Sequence, residues 1–347
     1  MNPQSYLAEP PTVTLATLAR PWLVADIGGT NARFGWLSAG SAAVTQVRTL
    51  AGAEHGGPAA AARAYLAQVA QALGPDYAAP RAAAFAVATA VGGDEVAFTN
   101  SGWAFSCAVT QRELGLDALL LLNDFEALAL SLPRLGASQV RAIGPAAPRA
   151  VASDAALAVI GPGTGLGVAG LVPTRHGWVA IPGEGGHATL ACGDAFEAAL
   201  IAAVRRDHPH VSAERLLSGI GLPVLHGAVA AVLGATLPAV PLSAGEIVER
   251  GRADGDEVCG RTVDCFCALL GSFAGNVALV LGARGGVYIG GGIVPRLGER
   301  FFSSRFRERF EAKGRFQAYL QAVPTLLITD TLAALSGAAL ALEQHGR

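Results

Sequence analysis

Two glycine turns hold residues suited to chemistry. The first, Asp26-Ile27-Gly28-Gly29-Thr30-Asn31, follows an apolar run. Glycines let successive backbone N–H groups turn inward as an anion-binding nest. Thr30 and Asn31 add side-chain donors. Asp26 suits Mg²⁺, held through water because that ion keeps much of its hydration shell. The same residues equally suit a tight hairpin in which Asp26 bonds its own turn. The second turn is Gly161-Pro162-Gly163-Thr164-Gly165-Leu166-Gly167, with a hydroxyl donor in Thr164. It does not lead into a helix and lacks the lysine of a P-loop, so neither a dinucleotide fingerprint nor a Walker motif is present. Two such turns would clamp one triphosphate.

A second set of residues suits hydroxyl recognition. "IPGEGGHATL" places Glu184 and His187 in a glycine-rich loop, and "HVSAERLLSG" adds Glu214. Each has a plainer role open to it, His187 as a structural hydrogen-bonder and Glu214 as a helix cap. Asn100 and Ser101 in "AFTNSGWAF" are turn residues by default. Carboxylates accept from hydroxyls, while Asn and His accept or donate, so the inventory suits a small polyhydroxylated ligand.

The stretch "LLLLNDFEAL" sets Asn123 and Asp124 hard against a leucine strand. An unpaired buried charge costs several kcal/mol or more. Asp124 therefore either caps the following helix or stands at the mouth of a cleft. In the second case it is a candidate base for a sugar hydroxyl attacking a γ-phosphate, a reaction that needs positioning and charge neutralisation more than covalent help.

The elements that must position these residues read as two α/β lobes. In the first, 22–29 and 32–38 form a hairpin, and 60–73 has helical spacing. A buried strand covers 82–91. A short helix over 110–116 would be capped by Thr110 with Glu113 three residues on, before the leucine strand and a helix from Asp124 to about Leu132. A second strand–glycine turn–strand, 156–172, echoes the first and marks an internal repeat. Helices are expected over 194–205, 212–217, 245–250, 257–281 and 331–344, and a strand over 285–295. In such folds ligands bind at the carboxyl ends of strands.

Bulk properties exclude several classes. Hydrophobic residues are 52% and charged residues 15% of the 347, which supports a large core. Net charge is −2 with no basic block, against a nucleic-acid partner or a membrane-surface helix. No stretch is expected to span a membrane. Cys107, Cys192, Cys259, Cys265 and Cys267 lack paired spacing, so disulfides are not expected in a reducing, cytoplasmic setting, and core packing rather than a metal is expected of Cys259, Cys265 and Cys267 in their apolar segment. The N-terminal 20 residues, with adjacent Pro10 and Pro11, are expected to form a loose arm.

The motifs "DIGGTNARFG", "TNSGWAF", "LNDFEALAL", "GPGTGLGVA", "PGEGGH", "VSAERLLSG", "GGVYIGGGIVPR" and "KGRF" occur in that order from about Trp22 to the C-terminal helix. In these the chain resembles the bacterial ATP-dependent glucokinases of the sugar kinase, actin and chaperone ATPase superfamily. The resemblance implies a two-lobed actin-like (ribonuclease H-like) α/β fold with an interdomain cleft. It implies a small domain over 21–134 completed by a C-terminal helix within 325–347, and a large domain over 135–324. It implies that Asp124 is the base, and that Asn100, Ser101, Asn123, Glu184, His187 and Glu214 bind D-glucose. Gly28, Gly29 and Thr30 would form one phosphate loop, and Thr164, Gly165 and Gly167 the other. Gly290, Gly291 and Gly292 would flank the adenosine, and Asp26 would stand on the Mg²⁺ side. A homodimer is common in the family.

The chain departs from related kinases and repressors that carry a cysteine-rich zinc motif after "GEGGH", since only Cys192 follows here. Zinc is not expected, and the proline-containing N-terminus would not supply a DNA-binding helix-turn-helix. Rival readings are a kinase for another hexose or phosphoryl donor, a non-catalytic sugar sensor, and an actin-like structural ATPase.

Overall fold

The structure, a computed structural model, describes residues 20–38, 41, 43–89, 91–98, 102–145, 154–252 and 255–345. The expected arm up to residue 19 and the sugar-loop residues Asn100 and Ser101 lie outside them. The chain divides into two compact units, one of 1–122 with 338–347 and one of 123–337.

In the first unit β1 (Trp22–Ile27) and β2 (Asn31–Leu37) pair antiparallel across the first glycine turn, and β3 (Thr45–Ala51) extends the ribbon. Helix α1 (Pro58–Leu73) leads to β4 (Ala82–Val87), which lies parallel to β1. The short hairpin β5 (Glu95–Ala97) and β6 (Ala104–Ser106), helix α2 (Cys107–Glu113) and β7 (Ala118–Asn123) complete it, giving the sheet order β3-β2-β1-β4-β7. The core is aromatic. Phe34 stacks on Tyr65 at 5.2 Å between ring centroids and meets Phe85 edge-on at 6.4 Å. Burying each such ring contributes about 1.5–3 kcal/mol.

The second unit opens with α3 (Asp124–Ser131) and β8 (Val140–Ala142), then β9 (Leu157–Pro162), β10 (Leu166–Thr174) and β11 (Gly177–Gly183). Helices α4 (Ala195–Val204), α5 (Leu222–Leu233), α6 (Ala244–Arg252) and α7 (Glu257–Leu281) precede β12 (Gly286–Ile289). Four short helices follow: α8 (Ile293–Leu297), α9 (Glu299–Phe302), α10 (Phe306–Glu311) and α11 (Gln317–Gln321). Strand β13 (Thr325–Ile328) and helix α12 (Ala333–His345) end the described chain. The sheet order is β11-β10-β9-β12-β13-β8. An antiparallel ribbon, β11-β10-β9, joins the parallel pair β9-β12, as β3-β2-β1 joins β4 in the first unit. The internal repeat read from the two glycine turns is thus a repeat of sheet topology.

Several local expectations fail for visible reasons. Helix α2 begins three residues before Thr110, because the Ser106 hydroxyl accepts the Val109 N–H at 3.1 Å and the Asp94 carboxylate accepts the Ala108 N–H at 2.8 Å. Thr110 is buried mid-helix. The 212–217 stretch forms turns rather than a helix, since the Ala213 and Glu214 N–H groups bond across to Ala188 and Gly186 while those of Leu216 and Leu217 turn back on Ala213. The strand expected over 285–295 ends at Ile289, and the next apolar residues start α8. The 82–91 strand ends at Val87.

Among the described residues one helix, α7, is long and apolar enough to cross a membrane by length and composition alone. Of its most apolar window 78% is buried in the protein, where α7 packs against α5, α6 and α10. Cys259, Cys265 and Cys267 are buried along it, and all five cysteines are free thiols. Burial pushes the Cys259 and Cys267 thiols up to about 12 and Cys265 to about 11.

Candidate functional site

The leucine strand β7 stops at Asn123, which caps α3. The Asn123 side-chain oxygen accepts the Phe125 N–H at 2.9 Å, while its own N–H donates to Glu126 Oε2 at 3.4 Å. Asp124 is the first helical residue, and its Oδ1 accepts the same Phe125 N–H at 2.9 Å. Asn123 does the capping, and Asp124 sits half-buried in the first turn, where the helix dipole favours a carboxylate.

Helix α3 rests on the β9–β10 hairpin. Gly161 and Gly167 face one another in the ladder, and the Phe125 ring occupies the space where both would carry a Cβ. A Cβ on Gly161 would stand 2.5 Å from the ring's Cε1, and one on Gly167 would collide with three ring carbons. The missing side chain of Gly167, a residue expected in the second phosphate loop, admits Phe125.

The hairpin tip is a tight turn closed by Gly163 N–H to Gly165 O at 2.9 Å. The 211–221 segment grips it from the side. Gly219 N–H donates to Gly163 O at 2.7 Å, Ile220 N–H to Thr164 O at 3.3 Å, and Leu166 N–H to Glu214 Oε2 at 2.9 Å. A Cβ on Gly165 would stand 2.5 Å from Glu214 Oε2 and would push the carboxylate off its bond to the Leu166 N–H. Glu214 thus joins the second glycine turn to the hydroxyl-recognition residues, in place of the helix-capping role that the sequence left open.

Those residues are held by two loops zipped together. Leu190 N–H donates to Val211 O at 3.0 Å, Ala213 N–H to Ala188 O at 2.9 Å, and Glu214 N–H to Gly186 O at 2.8 Å. His187 Nε2 lies 3.9 Å from Glu184 Oε2 and 3.9 Å from Glu214 Oε1. The Glu184 and His187 side chains are 76% and 60% exposed and Glu214 is 22% exposed, so two groups face solvent and the third anchors them. Gly186 lets the loop backbone lie on β10, since a Cβ there would strike the Leu166 carbonyl.

The Gly290–Gly292 turn leaves β12 beside the same hairpin. Gly290 N–H extends the ladder to Ile160 O at 2.8 Å, and Gly291 adopts φ 76°, a left-handed conformation that favours glycine. A Cβ on Gly291 would stand 2.7 Å from the Pro162 carbonyl carbon.

In the first unit the turn after Asp26 is closed by Gly28 N–H to Asn31 O at 2.9 Å, and Gly52 N–H reaches Thr30 O at 2.8 Å. Thr30 and Asn31 are exposed. Asp26 lies 3.6 Å from Arg33 across the ladder. Burial raises its carboxyl above the usual range, with the arginine opposing. Asp26, at a strand end beside a glycine turn, offers one oxygen donor of the kind Mg²⁺ takes, and no group of three or more His, Cys, Asp or Glu that could hold a metal occurs among the described residues.

Sequence reasoning missed Phe125, the Leu166 N–H bond and a buried cluster behind the His187 loop. There Arg309 donates to Glu197 Oε2 at 2.7 Å and to Asp194 Oδ2 at 3.2 Å, and Gly193 N–H donates to Glu197 Oε2 at 2.6 Å. The available signal for Phe125 was the cross-strand glycine pair, which needs an occupant.

Comparison with known proteins identifies the family. The glucokinase family model matches residues 23–345. A glucokinase of Aromatoleum aromaticum is 49% identical over 323 residues, 93% of this chain and 95% of that protein. The bifunctional protein glk of Burkholderia thailandensis is 47% identical over 325 residues, 94% of this chain, which spans about half (49%) of that longer relative. The crystal structure of a glucokinase from an Antarctic psychrotroph superposes with a TM-score of 0.84 at 39% identity, covering 93% of this chain and 98% of that one. The chain belongs to the glucokinase family, and its sheets are those of the actin-like ATPase fold.

Proposed function

We propose that this chain transfers the γ-phosphoryl group of ATP to the 6-hydroxyl of D-glucose. The reading is carried by one observation: the β9–β10 hairpin seats both the helix turn bearing Asp124 and, through Glu214, the Glu184–His187 cluster. Asn123, Glu184, His187 and Glu214 bind and orient the sugar hydroxyls. Asp124 accepts the proton of the 6-hydroxyl as its oxygen bonds to phosphorus and the bond to the ADP oxygen breaks. The helix turn keeps that carboxylate ionised and aimed.

Backbone N–H groups of Gly29, Thr30, Thr164 and Gly165, with the Thr30, Asn31 and Thr164 side chains, are assigned to the phosphates, while Gly28, whose N–H bonds Asn31 O, shapes the first loop. Gly167 belongs to the same phosphate loop and also shapes the hairpin by admitting Phe125, and Gly290–Gly292 flank the adenosine. Asp26 would hold Mg²⁺ through water, and the bound ion supplies charge neutralisation for the phosphate oxygens. The reducing cytoplasm suits five free thiols, and a homodimer is the assembly to test by light scattering. A coupled assay of ADP release across hexoses and phosphoryl donors tests the reading. Glucose with ATP is expected to give the highest kcat/KM, and sugar binding without turnover would replace the enzyme with a sensor.

Two variants test the assignments separately. Glu184→Gln and His187→Ala are expected to raise KM for glucose about ten-fold or more while KM for ATP changes little. Equal effects on both substrates would displace these residues from the sugar. Asp26→Asn is expected to remove most Mg²⁺-dependent turnover without lowering the melting temperature of the ligand-free protein. The folded chain holds the Asp26 proton to higher pH than the unfolded chain does. Ionised Asp26 therefore costs stability above its folded titration point, and that cost vanishes as pH falls below the unfolded value. An Asp26→Asn protein less stable than wild type at neutral pH would contradict this.

A further inference from the structure

We propose that Phe125 is a positioning residue for phosphoryl transfer: its ring, seated in the gap left by the paired glycines 161 and 167, fixes the first turn of α3 on the nucleotide-side hairpin. The inference rests on the phosphotransfer reading above. Phe125 follows Asp124 directly, and its N–H is shared by the Asn123 and Asp124 side chains at 2.9 Å each. Its backbone thus holds the candidate base, while its ring holds the hairpin. A larger residue at either glycine would displace the ring, and a smaller one at 125 would leave the hairpin stem without its occupant.

The lower part of the helix repeats the contact, since a Cβ on Gly290 would stand 3.0 Å from Leu128 Cδ2. Leu128 steadies the helix a turn beyond Asp124, while Phe125 bonds the carboxylate directly through its N–H. A near-attack geometry is sensitive to displacements of about 1 Å, which cost on the order of 100-fold in rate.

The test is a mutant cycle of Phe125→Ala, Gly167→Ala and the double variant, with Phe125→Leu as the milder change. Each is scored for kcat, for KM of glucose and ATP, for glucose affinity by calorimetry and for melting temperature. Phe125→Ala is expected to lower kcat about 10–100-fold, with glucose affinity within about three-fold of wild type. Phe125→Leu is expected to lie between. Gly167→Ala alone is expected to melt lower than wild type, and Phe125→Ala in the same chain to remove that penalty, because the methyl then enters vacated space. The double variant should also keep the KM for ATP of Phe125→Ala. A further rise in that KM would mean that Gly167 admits phosphate rather than the ring. Full wild-type kcat in a folded Phe125→Ala or Phe125→Leu protein overturns the inference alone. Wild-type protein that releases no ADP with glucose overturns the phosphotransfer reading and this inference with it.

Discussion

Asp124→Asn is expected to fold, to bind glucose within a few-fold of wild type, and to lose about 100- to 10,000-fold in kcat. That loss corresponds to about 3–5 kcal/mol of transition-state stabilisation. Asparagine keeps the shape and the acceptor oxygen that receives the Phe125 N–H at 2.9 Å, so the helix start survives. It cannot take up the hydroxyl proton. The two effects are read separately, binding by calorimetry and chemistry by ADP release. Weakened glucose binding with unchanged kcat would make Asp124 a sugar ligand and no base.

Arg309→Met is expected to lower unfolding free energy by about 3–5 kcal/mol, since it leaves a buried carboxylate unpaired. The Arg309 and Glu197 side chains are 6% and 3% exposed and bond at 2.7 Å. Gly193 lies against the guanidinium so closely that a Cβ would stand 2.6 Å from its Cζ. Asp194 completes the cluster, its carboxyl held below the usual range chiefly by the Glu197 N–H and further by Arg309. The cluster fastens the chain just after the Glu184–His187 loop, so the variant should also weaken glucose binding. Arg309→Met with Glu197→Gln is expected to recover much of the lost stability, because the amide still accepts the Gly193 N–H and no charge is stranded. Urea denaturation of the three proteins checks this. An unchanged midpoint for Arg309→Met would mean that the pair is not sealed from water.

Elements with strong periodicity or uninterrupted apolar runs were legible in the sequence. The two hairpins, α1, α3 and α7 fall within a few residues of where spacing placed them, because their burial patterns are set by local sequence. The 212–217 turns were not legible. Their apolar residues are spaced as in a helix, but the N–H groups of Glu214, Gly219 and Ile220 are bonded to partners distant in the chain, which no local pattern reveals. Helix α5 went unread because Gly221 and Pro223 at its start look like punctuation. Proline is in fact well suited to the first turn of a helix.

Of the candidate site, residue types pointed to sugar hydroxyls and phosphate, while the family resemblance supplied the individual roles. The glycines were the least legible. At 161, 165, 167 and 186 the absent side chain makes room for Phe125, for Glu214 or for the Leu166 carbonyl, contacts between residues up to 49 positions apart. A glycine-rich string advertises close approach but not what approaches.

The most direct test is phosphorus NMR of the products formed by the wild-type protein from ATP, Mg²⁺ and D-glucose, run beside Asp124→Asn and beside 6-deoxyglucose. Phosphorylation at the 6-oxygen alone, matched by ADP, nearly absent in the variant and absent with the deoxy sugar, is the predicted result. Phosphate on another oxygen, free phosphate in place of sugar phosphate, or an Asp124→Asn protein as fast as wild type would contradict it.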